Sequence, residues 1–246
     1  MKSFIRTGVL FLAWATADRG FAQGYIPVVV PNDSVASEGN SYLPSPFGGR
    51  QQYLFDASEF SSLTPFGGGW IEGIVFRLDV NPTGAREYGA NVTGLQISAS
   101  TTLQTESSLS PVFSLNYGTD PTLVFSGNVN VDAGPLGGAS PQSFTTYFVA
   151  FTPRTFWYDP ARGNLLLDFN GPVGQYSGTG FLDAWDRTGD GVASVRGAYG
   201  SSSGVVSTRG LVALIGFDVV PEPSSVVLMV LGLAGLLWLS KARRKV

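Results

Sequence analysis

The chain has no cysteine and no histidine among its 246 residues. The first absence removes disulfides. The second removes the commonest general base and the imidazole ligand of many metals. Together they exclude Cys–His dyads, Ser–His–Asp triads and most zinc or copper centres. Lysine is nearly as scarce: it occurs at Lys2, Lys241 and Lys245, and nowhere between. From Gln23 to Val220 there are sixteen Asp and Glu against eight Arg, a formal charge of −8, where the whole chain carries −3. An acidic body of this kind excludes phosphate-backbone binding, which needs clustered basic residues, so no nucleic-acid partner is expected.

The strongly apolar segments lie at the two ends. Lys2 and Arg6 precede a short apolar stretch from Gly8 to Ala17, and small residues follow at Ala15-Thr16-Ala17 and Gly20-Phe21-Ala22. Residues 1–22 therefore read as a secretory signal peptide cut after Ala22, with Ala17 as the alternative. At the other end, Val226 to Leu239 is an unbroken apolar run of 14 residues, and 18 residues from Pro223 to Ser240 pass without a charge. As a helix that segment spans about 27 Å against a hydrocarbon core of about 30 Å. It is apolar on every side, unlike the amphipathic terminal helix of a soluble domain. We expect a single C-terminal transmembrane helix over about residues 223–240, bounded outside by Pro221 and Pro223. A basic tail over 241–246, with Lys241, Arg243, Arg244 and Lys245, would stay in the cytoplasm. The body between the two ends is then exported and tethered to the membrane.

Val220-Pro221-Glu222-Pro223, the apolar span and the terminal Arg243-Arg244-Lys245 group, in that order, resemble the PEP-CTERM sorting signal. The resemblance covers residues 220–246. It implies an exosortase as partner, cleavage near the Pro-Glu-Pro motif, and a Gram-negative bacterium that exports extracellular polysaccharide. Glu222, the one ionised group of the motif, is by resemblance a recognition contact.

The body, residues 23–219, shows period-two patterning bounded by turn residues. Ile74, Phe76, Leu78 and Val80 alternate onto one face, as do Leu95, Ile97 and Ala99, and Leu211 to Val219 follows the same rule. Phe144 to Phe151 and Leu165 to Phe169 are denser apolar runs and are expected as central strands. Asp56 to Phe60 is expected to make one helical turn, and residues 24–48 an irregular N-terminal arm. Residues 132–142 and 200–204 read as loops. Many short strands without a long helical period predict an all-β fold, an antiparallel β-sandwich of jelly-roll-like topology. About 200 residues suffice for a core without disulfides. Two stretches, Gln51 to Phe55 leading to Phe60 and Ile71 to Arg77, and Phe156 to Asp168, resemble segments met in the body domains of many PEP-CTERM proteins. In the second, Pro160 presets a turn, Gly163 or Asn164 takes a positive φ, and Leu165 and Leu167 enter the core.

Sites for chemistry are few. Gly200-Ser201-Ser202-Ser203-Gly204 matches G-x-S-x-G, but a nucleophile elbow needs a following helix and a histidine, so a Ser/Gly loop is expected. Asp183, Asp186 and Asp190 crowd into one stretch, and Asp186-x-Thr188-x-Asp190-Gly191 resembles the start of an EF-hand loop. Gly197 stands where the twelfth-position carboxylate would be required. The three aspartates are a candidate calcium set, and calcium is the one candidate cofactor; the competing reading is an acidic surface turn. Among Trp70, Trp157, Tyr158, Tyr176, Trp185 and Tyr199, Trp185 is the best candidate for stacking on a sugar ring, because it lies among charged residues in a Gly-rich loop. The expected function is a non-enzymatic, exported surface or matrix structural protein. The alternative is an exopolysaccharide-binding module.

Overall fold

Short alternating segments broken by Gly and Pro cannot bury a face alone, so they pair and stack. The computed structural model describes residues 24–220, apart from 36, 44–46, 78, 80–86, 136–143, 173–174 and 179–181. Its strands are β1 (Gly24–Val30), β2 (Ser41–Leu43), β3 (Gly49–Phe55), β4 (Gly69–Arg77), β5 (Glu87–Thr102), β6 (Thr122–Pro135), β7 (Phe144–Ala150), β8 (Trp157–Tyr158), β9 (Asn164–Gly171), β10 (Gln175–Gly178), β11 (Leu182–Asp186), β12 (Val192–Gly197), β13 (Val205–Ser207), β14 (Arg209–Leu211) and β15 (Ala213–Val219). One sheet runs β1-β15-β4-β7, with β8 also on β4. A second runs β10-β5-β9-β3-β12-β13, with β6 on β5. A small third sheet runs β14-β11-β2. The registered pairs are antiparallel. The predicted signal peptide, transmembrane helix and basic tail lie outside the described residues. Among the described residues no helix is long and apolar enough to cross a membrane.

The first two sheets meet through aromatic rings. Phe76 on β4 lies 5.8 Å from Phe169 on β9, and Phe47 sits edge-on to both. Leu95, Ile97 and Ala99 are buried on β5, as their alternation predicts. The other face of the second sheet is covered too. Leu54, Leu166, Ala193 and Val195 pack against Leu109 and Phe113, which belong to the segment between β5 and β6. That second cover explains why β9 is buried on both sides and why Leu166 enters a core as fully as Leu165 and Leu167.

Several expectations change. The stretch 24–48 is not wholly irregular: β1 borders β15 and β2 pairs with β11. Pro27 hid β1, yet an edge strand tolerates a missing N–H. β7 borders only β4 in its sheet, so it is an edge and not a central strand. β6 extends to Pro135, into the predicted loop. β4 ends at Arg77, which is buried where an outward polar residue was expected. The turn at 57–66 is a ten-residue 3-10 segment, capped by Asp56, whose carboxylate accepts from Ser58 N. Pro160 opens a 3-10 turn and Gly163 takes φ 141°.

A buried polar knot lies under the second cover. The Asp168 carboxylate accepts from Gln52 Nε2 at 2.8 Å, Tyr117 Oη at 2.6 Å and Arg50 Nη2 at 2.9 Å. Gln52 also receives Asn116 Nδ2 at 2.9 Å, and Arg50 donates to Ser201 O at 3.1 Å. Burial and the neighbouring Asp168 charge push the Tyr117 phenol up to about 12, so it remains a donor. Asp168→Ala takes the acceptor from the buried Gln52 amide and from the part-buried Tyr117 phenol and Arg50 guanidinium. Urea unfolding should show a loss of about 2–4 kcal/mol; a loss below 1 kcal/mol would mean that the knot is not a structural anchor.

Candidate functional site

The three aspartates singled out in the sequence do not converge. Asp183 is fully buried on β11 and paired with Arg77 Nε at 2.6 Å, and it accepts from Gly39 N at 3.0 Å. Burial raises its pKa, against the opposing pull of Arg77. Asp186 points to solvent and binds Arg209 Nε and Thr208 Oγ1, each at 2.8 Å, which lowers its pKa. Trp185 is no open platform either. Its indole N–H donates to Ser34 Oγ, and the Arg187 guanidinium lies 4.6 Å from its ring centre. Trp70 and Trp157 stand edge to face at 5.3 Å and 79°, so they do not form a flat platform. Tyr199 is exposed and Tyr158 is buried; the Tyr176 side chain lies outside the described ones. Ser201 sits in a loop, its hydroxyl spent on Ser203 O.

Asp190 lines a cavity that Asp183 and Asp186 do not. That cavity, of about 450 Å³, is formed by the turn 187–191, the start of the 3-10 segment 57–66, residues Asn32 and Asp33, and Glu106. Asp33, Asp56, Glu59, Glu106 and Asp190 bring five carboxylates to it, Arg187 is the single cation of the lining, and no lining residue is aromatic. Two of the acids are committed elsewhere: Asp33 pairs with Arg187 and Asp56 caps the 3-10 segment. Glu59 accepts from Asn32 N. Glu106 Oε2 accepts from Gly189 N at 2.7 Å, and Asp190 Oδ1 from Val192 N at 3.1 Å. Gly189 and Gly191 hold φ of 81° and 80°, which shapes the turn that gathers these groups. At Gly191 the positive φ disfavours any side chain, and a Cβ there would also push Glu59 Oε1, 2.7 Å away, aside.

The second oxygens of the two clamped acids are left over. Asp190 Oδ2 and Glu106 Oε1 are buried and accept no hydrogen bond. Desolvation first, then the charges of Glu106 and Asp33, push Asp190 up to about 6; the Val192 amide and Arg187 oppose this. Glu59 is raised by burial, with Asp33, Asp56 and Asp190 adding to it. Sequence reasoning found Asp190 but missed Glu59 and Glu106, which lie 131 and 84 positions before it.

Beyond β15 the chain enters the stretch Val220-Pro221-Glu222-Pro223. Residues 219–244 match the family model of the PEP-CTERM protein-sorting motif. The chain ends in a sorting signal. No curated protein and no solved structure matches the chain. The PEP-CTERM motif begins where β15, the last strand among the described residues, closes at Val219, and Val220 is already exposed. Pro221 to Val246 lie outside the described residues.

Asp190 holds its proton to about pH 6 in the folded chain, against an ordinary value of 3.8. Folding therefore takes up a proton between those values. The stability this supplies is complete below about pH 3.8 and is lost as pH rises through about 6. Asp190→Asn keeps an oxygen for the Val192 amide and removes the charge. Without added divalent ions it should raise Tm by about 2–6 °C at pH 7.5. The gain should vanish near pH 4. A lower Tm for the variant at pH 7.5 would contradict the assignment.

Proposed function

We propose that this chain is an exported, non-enzymatic structural protein of the cell surface or extracellular matrix of a Gram-negative bacterium. In this reading residues 1–22 direct export, a jelly-roll-like sandwich folds outside the inner membrane, and the apolar segment over about 223–240 holds the precursor. An exosortase then cuts near Val220-Pro221-Glu222-Pro223. The observation that carries the reading is the PEP-CTERM protein-sorting motif over residues 219–244. The order of its parts has a physical logic. Proline cannot continue a helix, so Pro221 and Pro223 would set the outer limit of the apolar span. The basic tail fixes the orientation of the span. With β15 ending at Val219, a cut there would release the sandwich without removing a strand.

The non-catalytic part of the proposal draws on the acidic cavity. A glycoside hydrolase also needs two carboxylates around its substrate, but it must hold a sugar ring between them. The lining of this cavity contains no aromatic residue for a pyranose to stack on. The folded body would then act as a stable, acidic, soluble module displayed among exported polysaccharide.

The mass of the C-terminal peptide of the protein isolated from its own host tests the proposal. A chain ending near residues 220–224, or carrying an adduct there, is expected. A peptide reaching Val246 intact would make the tail a permanent anchor. Glu222→Ala should leave the tail in place while the body folds normally. Processing that continues unchanged in that variant would remove Glu222 from the recognition contact. Retention of the mature body on the host's own polysaccharide would replace the structural role with a binding one.

A further inference from the structure

Aromatic rings gather on the outer face of the first sheet, close to where β15 ends. β15 pairs with β4 so that Phe217 lies opposite Ile71 and Asp218 opposite Trp70, and β4 in turn sets Trp70 opposite Trp157 on β8. Ile71 and Phe217 are fully buried, whereas Trp70, Trp157 and Asp218 are part-exposed, so these three turn to the outer face. The two indoles stand edge to face at 5.3 Å. Tyr25 on β1 joins them and is 58% exposed. It lies across Gly216, where any side chain would collide with its phenol. Arg154 pairs with Asp218 at 3.5 Å, and Glu72 on β4 is part-exposed beside them. Burial, then the Asp218 charge, raise the Glu72 pKa, and Arg154 opposes them.

We infer that the face carrying Tyr25, Trp70 and Trp157 is the surface by which the body rests on the outer side of the inner membrane while the tail still holds it. The inference rests on the reading of about residues 223–240 as a membrane span. Residues 220–223 connect β15 to that span, and four residues of extended chain cover at most about 14 Å. A folded body of this size has a radius of gyration of about 16 Å. The tether is shorter than the body it holds, so the end where β15 stops is kept toward the lipid. Trp and Tyr are the side chains that settle at headgroup level, with an apolar ring and a polar tip. A tethered contact needs little affinity of its own, because the tether keeps the local concentration high. Attraction to anionic headgroups is not the source, since Glu72 and Asp218 outnumber Arg154 on this face. Zwitterionic lipid is the partner that fits. Such a contact would hold the region of the cut in one orientation at the membrane surface, where the exosortase meets it.

The full chain in phosphatidylcholine vesicles tests this. It has no cysteine, so one introduced thiol takes a single bimane label. Pro153→Cys puts the label next to Arg154, and Val205→Cys puts it on β13, an edge of the second sheet. Both positions are exposed, and the exposed Thr152→Cys serves if Pro153→Cys fails to fold. With lipid brominated near the headgroup, quenching at Pro153 should exceed quenching at Val205 by about 3-fold or more. Tyr25→Ser with Trp157→Ser should remove most of that difference. If the double variant fails to fold, Tyr25→Ser alone should still reduce it. A difference untouched by these changes would move the contact off this face and overturn the assignment. Equal quenching of the two labels, in a chain that resists carbonate extraction, would overturn the docking and leave the span standing. A chain that carbonate extracts would overturn both. Energy transfer between Pro153 labels on separate chains, in place of lipid quenching, would give the face to a second copy and overturn lipid docking.

Discussion

The fold depends on one buried carboxylate. Asp168 lies on β9, directly across from Gln52 on β3, on the face turned away from the aromatic interior. Its oxygens collect Gln52, Tyr117 and Arg50. Through them it ties together two central strands, the segment between β5 and β6, and the turn at Ser201, which Arg50 also reaches. Phe113 belongs to the same assembly, with the Arg50 guanidinium 4.6 Å from its ring centre. The 103–118 segment has little regular structure of its own, so side-chain hydrogen bonds hold it in place: Asn116 to Gln52 and Ser110, and Asn164 to Gln104. A knot of this kind is strong only when every member is satisfied. That is why a loop can serve as a second wall of the core in a protein without disulfides.

The strand pattern is visible in the sequence wherever one face of a strand meets the interior and the other meets water. Leu95, Ile97 and Ala99 announce β5 for that reason. The rule fails where both faces are covered. Gln52, Asp168 and Arg77 look like outward-facing polar residues and are all buried. Period-two reasoning has no means to foresee a polar knot, because the partners of each residue are supplied by distant segments. Of the two stretches that resemble recurrent PEP-CTERM body segments, Gln51 to Phe55 of the first and Leu165 to Asp168 of the second lie on neighbouring strands in register, whereas Ile71 to Arg77 belongs to β4 in the other sheet. Within this chain Gln52 and Asp168 face each other at the middle of that pairing.

The candidate site was legible in part, and the reason is geometric. Asp183 and Asp186 lie three apart on β11, so they fall on opposite faces of the strand. One goes inward to Arg77 and the other outward to Arg209. Asp190 follows the turn and belongs to a third environment. Local crowding of acids therefore produced three separate fates, and the group that does gather is assembled from positions 59, 106 and 190. The one signal in the sequence was the pair Gly189 and Gly191 bracketing Asp190, since positive φ at both makes a tight turn that can aim its carboxylate.

The absence of lysine from the body acquires a physical meaning at this point. The ion pairs among the described residues are all made by arginine: Arg50, Arg77, Arg154, Arg187 and Arg209. The buried ones need more than a point charge. Arg77 binds Asp183 and also the carbonyls of Ser34 and Ser37, so one side chain fastens β4 to β11 and to the N-terminal segment. Arg50 reaches a carboxylate, a phenol and a carbonyl. A planar fork of donors can do this and an ammonium cannot. With eight arginines against sixteen acids, these internal duties leave too few cations to balance the rest. The shortfall is concentrated around Asp190, Glu106 and Glu59, where a single arginine faces five carboxylates and is itself drawn outward to Asp33. The charge imbalance of the whole body thus becomes a local property of one cavity.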